Sequence, residues 1–170
     1  MDKLLSTDDI NEIIGYPIAM RVYDDLAKIR RIDELFDPKT GDACLILVRS
    51  GPNVGHWVVL TYDDGVVTFF DSYGGFIDDQ LDHTPIRYMP YLSRLLMEYP
   101  GDVQYNPAQL QKYGMEIATC GRWCALWVIQ RGMHVDDFVR VLEDYKKKIP
   151  LDELVTLLTD DELENNISGY

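Results

Sequence analysis

"GHWVVLTYDDGVVTFFDSYGG", residues 55–75, decides the fold. Two runs of β-branched and aromatic residues flank Asp64-Gly65, a strong two-residue hairpin turn. With those two residues as the loop, Asp63 pairs with Val66 and Asp71 lies across from Val58. His56 is two residues along the same strand as Val58, so His56 and Asp71 project from one face as diagonal neighbours. A four-residue loop puts the two directly opposite. A three-residue loop without a bulge puts them on opposite faces, so the turn length decides whether they can meet.

Outward from the hairpin, "CLILVR" (44–49) reads as a third strand, reached across "SGPNVG". Upstream, Ser6 and Thr7 before two aspartates start a short helix in "LSTDDINEII" (5–14). "YDDLAKIRRIDELF" (23–36) is predicted to be a second helix, from Leu26, Ile29, Ile32, Leu35 and Phe36. Downstream, "RYMPYLSRLLMEY" (87–99) is predicted helical and "GDVQYNP" (101–107) extended. "ATCGRWCALWVIQRG" (118–132) follows as a helix apolar on nearly every face, hence central and buried, with Gly132 as its stop. Two amphipathic helices, "VDDFVRVLEDYKKK" (135–148) and "PLDELVTLLTDDEL" (150–163), precede "ENNISGY" (164–170), read as a loose tail. The order is helices, a small mixed or antiparallel sheet, then helices: an α+β fold in a single domain over 1–170.

Composition narrows the function classes. At 46 % hydrophobic and 11 % aromatic the chain is globular. No apolar run approaches the roughly 18–20 residues of a membrane span, so no membrane partner is expected. "MDKLLSTDDINEII" turns acidic where a signal peptide stays apolar, which argues against export. Three sparse cysteines suit reduced thiols in a cytosol-like compartment. A net charge of −13 opposes binding to DNA or anionic lipid. The basic run Lys146, Lys147, Lys148 reads as a solvated helix face.

An aspartate beside a histidine can fix the imidazole tautomer and stabilise the imidazolium, the supporting part of a nucleophilic triad. Taken alone, His56 and Asp71 read more readily as ordinary strand-end polar groups. Their setting adds weight, since Gly55 precedes the histidine and the aspartate opens the glycine loop "DSYGG". A catalytic thiol needs partial exposure and a stabilised anion. Thr119 as an N-cap makes Cys120 the first helical residue, where free amides and the macrodipole favour thiolate, and Gly121 leaves room for a substrate backbone. Cys124, one turn further in beside Trp123, Ala125 and Leu126, reads as a small core hydrophobe, and Cys44 as strand packing. Cys120 and Cys124 as zinc ligands lack the usual four-ligand pattern, and a redox pair prefers C-x-x-C. The developing oxyanion needs donors. The Cys120 N–H is one, and the second is a side-chain amide from Asn106, Gln109 or Gln111. His83 and His134 lack a convincing acidic partner and a placement near the nucleophile, and read as surface or capping residues.

"GHW", "FFDSYG", an upstream glutamine and "TCGRWC", in that order, resemble the adenain-type cysteine proteases, the group that includes the SUMO- and ubiquitin-like-processing enzymes. The "LQ…TCGRWC" form is most similar to the maturation proteases of virophages and large DNA viruses. The resemblance covers about residues 44–132 and implies the fold of that group, with the nucleophile on the buried helix. It implies His56 as base, Asp71 as its acidic partner, Cys120 as nucleophile and Gln111 as oxyanion donor. Eight residues separate Gln111 from Cys120, more than usual in the group, so Gln109 stays open and "KYGMEIAT" must loop. Trp57 matches the group's Trp over a narrow Gly-Gly channel, with plain core packing as the alternative. The implied activity is thiol endopeptidase cleavage of capsid or other virion precursors at Gly-rich sites. Release of ubiquitin-like modifiers is the second reading and an inactive binding module the third. No cofactor is implied. An activating peptide fits the resemblance, DNA does not at this charge, and a monomer in the virion and host cytoplasm is expected.

Overall fold

The computed structural model describes residues 4–36, 39, 41–52, 54–84, 89–114 and 117–168. Among them, helix α1 (Thr7–Ile14) begins at Ser6, whose hydroxyl accepts from the Asp9 N–H while the Asp9 carboxylate accepts from the Ser6 N–H. It ends at Gly15, where φ is 88°. Strands β1 (Ala19–Val22), β2 (Ala43–Gly51), β3 (Val54–Asp63), β4 (Val66–Phe70) and β5 (Asp102–Tyr105) form one sheet in chain order. The inner pairs β2–β3 and β3–β4 are antiparallel, and the flanking pairs β1–β2 and β4–β5 are parallel. Helix α2 (Tyr91–Met97) precedes β5, and α3 (Cys120–Gln130), α4 (Val135–Lys146) and α5 (Leu151–Ser168) follow it.

The sheet is buried on both faces, and alternation along β3 assigns each side. Trp57 and Val59 join α1, α3, α4 and α5 in one core, whereas Val58 and Leu60 join Tyr23, Leu26 and α2 in the other. Helix α3 lies in the first core with Trp123, Cys124, Ala125 and Trp127 at 1 % exposure or less. Phe70 stacks on Trp127 at 5.6 Å, Phe138 packs edge-on to both, and the Trp127 indole N–H donates to the Thr61 hydroxyl. Most of α3 is buried, from Cys120 to Val128. It stops at Gln130, and the chain turns away through Gly132 at φ 101°.

Three expectations change. The predicted helix over 23–36 is instead two 3₁₀ turns, Tyr23–Lys28 and Ile32–Leu35. Leu26, Ile29, Ile32 and Leu35 recur every third residue, the period of a 3₁₀ rather than an α-helix. The Glu34 carboxylate takes the N–H groups of Arg30 and Arg31 and fixes the break. Strand β1 went unpredicted because four residues carry too little pattern. Its edge position rests on pairing with Cys44–Leu47. Residues 164–168 of the expected loose tail are the last turn of α5, held by the Asn166 amide donating to the carbonyls of Glu12 and Ile13 at 3.1 Å each, and residues 169 and 170 lie outside the described residues.

Candidate active site

The hairpin adopts the two-residue turn, with Asp64 at φ 48° and Gly65 at φ 82°, and pairs Asp63 with Val66 and Val59 with Phe70. This register brings the His56 Nε2 to 2.7 Å from Asp71 Oδ1. Asp71 is 1 % exposed, and the same oxygen accepts the Tyr73 N–H at 2.9 Å. The loop after β4 is fixed from outside as well. The Asn106 amide donates to the Asp71 carbonyl, and the N–H groups of Leu110 and Gln111 both donate to the Ser72 carbonyl. Gly74 has φ 73°, and a Cβ there would stand 2.7 Å from the Ala108 carbonyl carbon, so the two loops touch backbone to backbone.

Cys120 opens α3 as expected, with Thr119 at the N-cap position. The Cys120 sulfur lies close enough to the His56 ring to raise its pKa. Nε2 of that ring is engaged by Asp71, which leaves Nδ1 uncommitted among the bonds described. Burial is the largest influence on the imidazole and pushes its pKa down. The Asp71 carboxylate and the Cys120 sulfur outweigh it and raise the net value to about 10. Sulfur, imidazole and carboxylate thus form one chain of contacts. Cys120 is 3 % exposed, more covered than the partial exposure expected. Cys124 is fully buried, donates to the Trp57 carbonyl, and is pushed well above the usual thiol range by burial. Burial likewise takes Cys44 up to about 12. Among the described residues no group of three or more His, Cys, Asp or Glu side chains is arranged to hold a metal ion.

The three candidate amides separate by their partners. Asn106 spends both ends on the backbone, donating to Asp71 and accepting from the Ala108 N–H. Gln109 is exposed and donates to the Gln111 carbonyl. Gln111 is 1 % exposed. Its Oε1 accepts from the Ser72 hydroxyl at 2.8 Å, and its Nε2 donates to the Ile117 carbonyl at 3.2 Å and reaches the Tyr73 hydroxyl at 3.5 Å. Only the Gln111 amide nitrogen is turned toward the segment that carries Cys120. Tyr73 is the residue that sequence reasoning missed. Its ring stacks on His56 at a centroid distance of 4.4 Å and 18°, and Tyr113 stacks on Tyr73 at 4.6 Å and 20°. The available signal was its position two residues after Asp71, the spacing of an Asx-turn.

Two expected substrate contacts take other roles. A Cβ on Gly121 would meet Leu5 Cβ at 3.2 Å and Ile10 Cδ1 at 3.1 Å, so the missing side chain admits α1 and not a substrate backbone. Trp57 is 3 % exposed inside the core, and its indole N–H donates to the Leu5 carbonyl at 2.9 Å, the packing alternative rather than a channel wall. His134 caps α4 by accepting the Asp136 N–H, as expected of a capping residue, and the His83 side chain lies outside the described residues. Lys146, Lys147 and Lys148 are exposed at the end of α4.

The chain is similar to a virophage protein. Uncharacterized protein V9 of Sputnik virophage is 37 % identical over 166 residues, covering 91 % of this chain and 93 % of that protein. No family model matches the chain. Among solved structures, the central domain of the uncharacterized Lpg1148 protein from Legionella pneumophila shares 16 % identity at a TM-score of 0.44, covering 98 % of this chain and 99 % of that one. The C-terminal Ulp1 protease domain, solved in complex with Smt3, the yeast ortholog of SUMO, shares 15 % identity at a TM-score of 0.37, covering 92 % of this chain and 75 % of that one.

Proposed function

We propose that this chain, which belongs to the family of the Sputnik virophage protein V9, is a thiol endopeptidase. The observation that carries the reading is the position of His56, one ring nitrogen on Asp71 and the ring close enough to Cys120, the first residue of a buried helix, for its sulfur to raise the imidazole pKa. The proton of the Cys120–His56 pair already rests on the imidazolium, or passes from sulfur to the ring, as the sulfur attacks a peptide carbonyl carbon. The C–S bond forms as the carbonyl π pair moves onto oxygen, which the Cys120 N–H and the Gln111 amide receive. Collapse breaks the C–N bond, and the imidazolium gives its proton to the departing amine. A water then gives a proton to His56 while its oxygen adds to the thioester. The C–S bond breaks, and the thiol and imidazole return to their starting state. Asp71 holds the ring and stabilises the imidazolium throughout.

The substrate proposed is a capsid or other virion precursor, cut at a Gly-rich site. A thiol only 3 % exposed admits a slim chain more readily than a bulky one, and the family includes a virophage protein. The test is mass spectrometry of candidate virion proteins incubated with the wild type and with Cys120→Ala. New termini after glycine that appear only with the wild type are expected. Identical peptide maps from the two proteins would sink the reading.

A further inference from the structure

Thr119 occupies the N-cap position of α3 but does not cap it. Its backbone sits at φ −89° and ψ 0°, not in the extended region that a capping residue adopts, and its side chain makes no bond to the helix. The hydroxyl instead donates to Asp152 Oδ1 at 2.5 Å. The second oxygen of the same carboxylate, Oδ2, accepts the N–H of Lys112 at 3.0 Å. Asp152 lies in the first turn of α5, far along the chain from both partners, where an acidic side chain also suits the macrodipole.

These two bonds land on the residue before Cys120 and the residue after Gln111. We propose that Asp152 is a positioning residue that builds the oxyanion site from both sides at once. Drawing the Thr119 hydroxyl away leaves the first-turn amides of α3 without a side-chain cap, aimed outward as donors. Holding the Lys112 N–H fixes the segment that aims the Gln111 amide, which Ser72 and the Ile117 carbonyl orient from its two ends. Asp152 touches neither sulfur nor imidazole in any bond described, so it acts on where charge develops and not on the nucleophile. This assignment rests on the endopeptidase reading.

The experiment separates the two by probe chemistry. Iodoacetamide alkylates sulfur by displacement, with no tetrahedral oxyanion, and so reports the thiol and its histidine. The aldehyde acetyl-Gly-Gly-glycinal adds Cys120 sulfur across its C=O bond, the thiol proton passing to the new oxygen or to His56, and so reports the oxyanion site as well. Both are measured on the full chain for wild type, Asp152→Asn, Thr119→Val and Thr119→Ser, with thermal melts confirming a folded protein. The expected result is about a tenfold or greater loss of aldehyde affinity in Asp152→Asn and Thr119→Val. Alkylation of Cys120 should stay within about twofold, Thr119→Ser should keep wild-type affinity, and Asp152→Asn combined with Thr119→Val should be no worse than Asp152→Asn alone. Equal losses with both probes, or no loss with the aldehyde, overturn the role of Asp152. A wild type that alkylates rapidly at Cys120 yet binds no aldehyde overturns the oxyanion site itself. One that does neither overturns the endopeptidase reading beneath it.

Discussion

The Nε2 of His56 and the Oδ1 of Asp71 lie 2.7 Å apart although the ladder between their strands ends one residue short, at Phe70. The contact survives past the last paired residue because the Tyr73 N–H and the Asn106 amide hold the aspartate's loop in place. Asp71→Asn keeps the shape and removes the charge that holds the imidazole up. The rate of peptide cleavage should fall about 10²–10⁴-fold. The pH at which the His56 ring titrates by NMR should move down from about 10, and an unchanged midpoint would mean that Asp71 does not set the charge on His56.

The same pair makes stability depend on pH. The folded His56 pKa, about 10, lies above the ordinary value of 6.5. The histidine therefore contributes stability in full below about 6.5 and loses it as pH rises through about 10. Urea melts of the wild type and His56→Gln across that window should converge as pH rises. A constant difference between them would contradict a raised imidazole.

Thiol labelling should be selective. Cys44 and Cys124 are fully buried, and burial raises both, whereas Cys120 touches an imidazole at the head of its helix. Brief treatment of the folded protein with iodoacetamide followed by peptide mapping should modify Cys120 first. Modification of Cys124 at a comparable rate would remove the case for a specialised thiol.

Gly74→Ala should damage fold and activity together. The new methyl would press on the backbone of Pro107 and Ala108 from a residue at φ 73°. Neither side has a flexible end to yield, so a cost of about 2–4 kcal/mol is expected. The displaced loop leads into Gln111, so residual folded protein should cleave more slowly. Chemical denaturation with a cleavage assay checks both, and a neutral substitution would show that the two loops are not in contact.

Trp57→Phe distinguishes packing from substrate contact. Losing the bond to the Leu5 carbonyl and part of a core ring should cost about 1–3 kcal/mol in a denaturant melt. Relative cleavage of glycine-containing peptides and their alanine counterparts should stay as in the wild type. A changed preference would return the indole to the substrate's path.

Much of the site is local chemistry, and local chemistry was legible. Asp64-Gly65 dictates a two-residue turn, the turn dictates the register, and the register places His56 beside Asp71. A threonine ahead of an apolar run marked where α3 begins and so singled out Cys120. What stayed hidden depends on partners distant in sequence. Nothing near Thr119 announces that its hydroxyl belongs to Asp152, and nothing near Gly121 says that α1 fills its missing side chain. Strands β1 and β5 join the sheet by parallel pairing, which requires long crossovers and leaves no turn signature. The 3₁₀ turns over 23–35 were written in a three-residue period that a helical reading absorbed too easily.

The tie from α5 back to Thr119 and Lys112, and its final bonds to the carbonyls of Glu12 and Ile13, also set an order of events during synthesis. A polypeptide still emerging from the ribosome has its hairpin and its central thiol long before the last helix can dock. Truncated nascent chains ending ahead of Asp152 should therefore show no aldehyde capture, and capture should begin only once that helix has cleared the exit tunnel. Delay of this kind would hold the proposed endopeptidase inactive until α5 has docked.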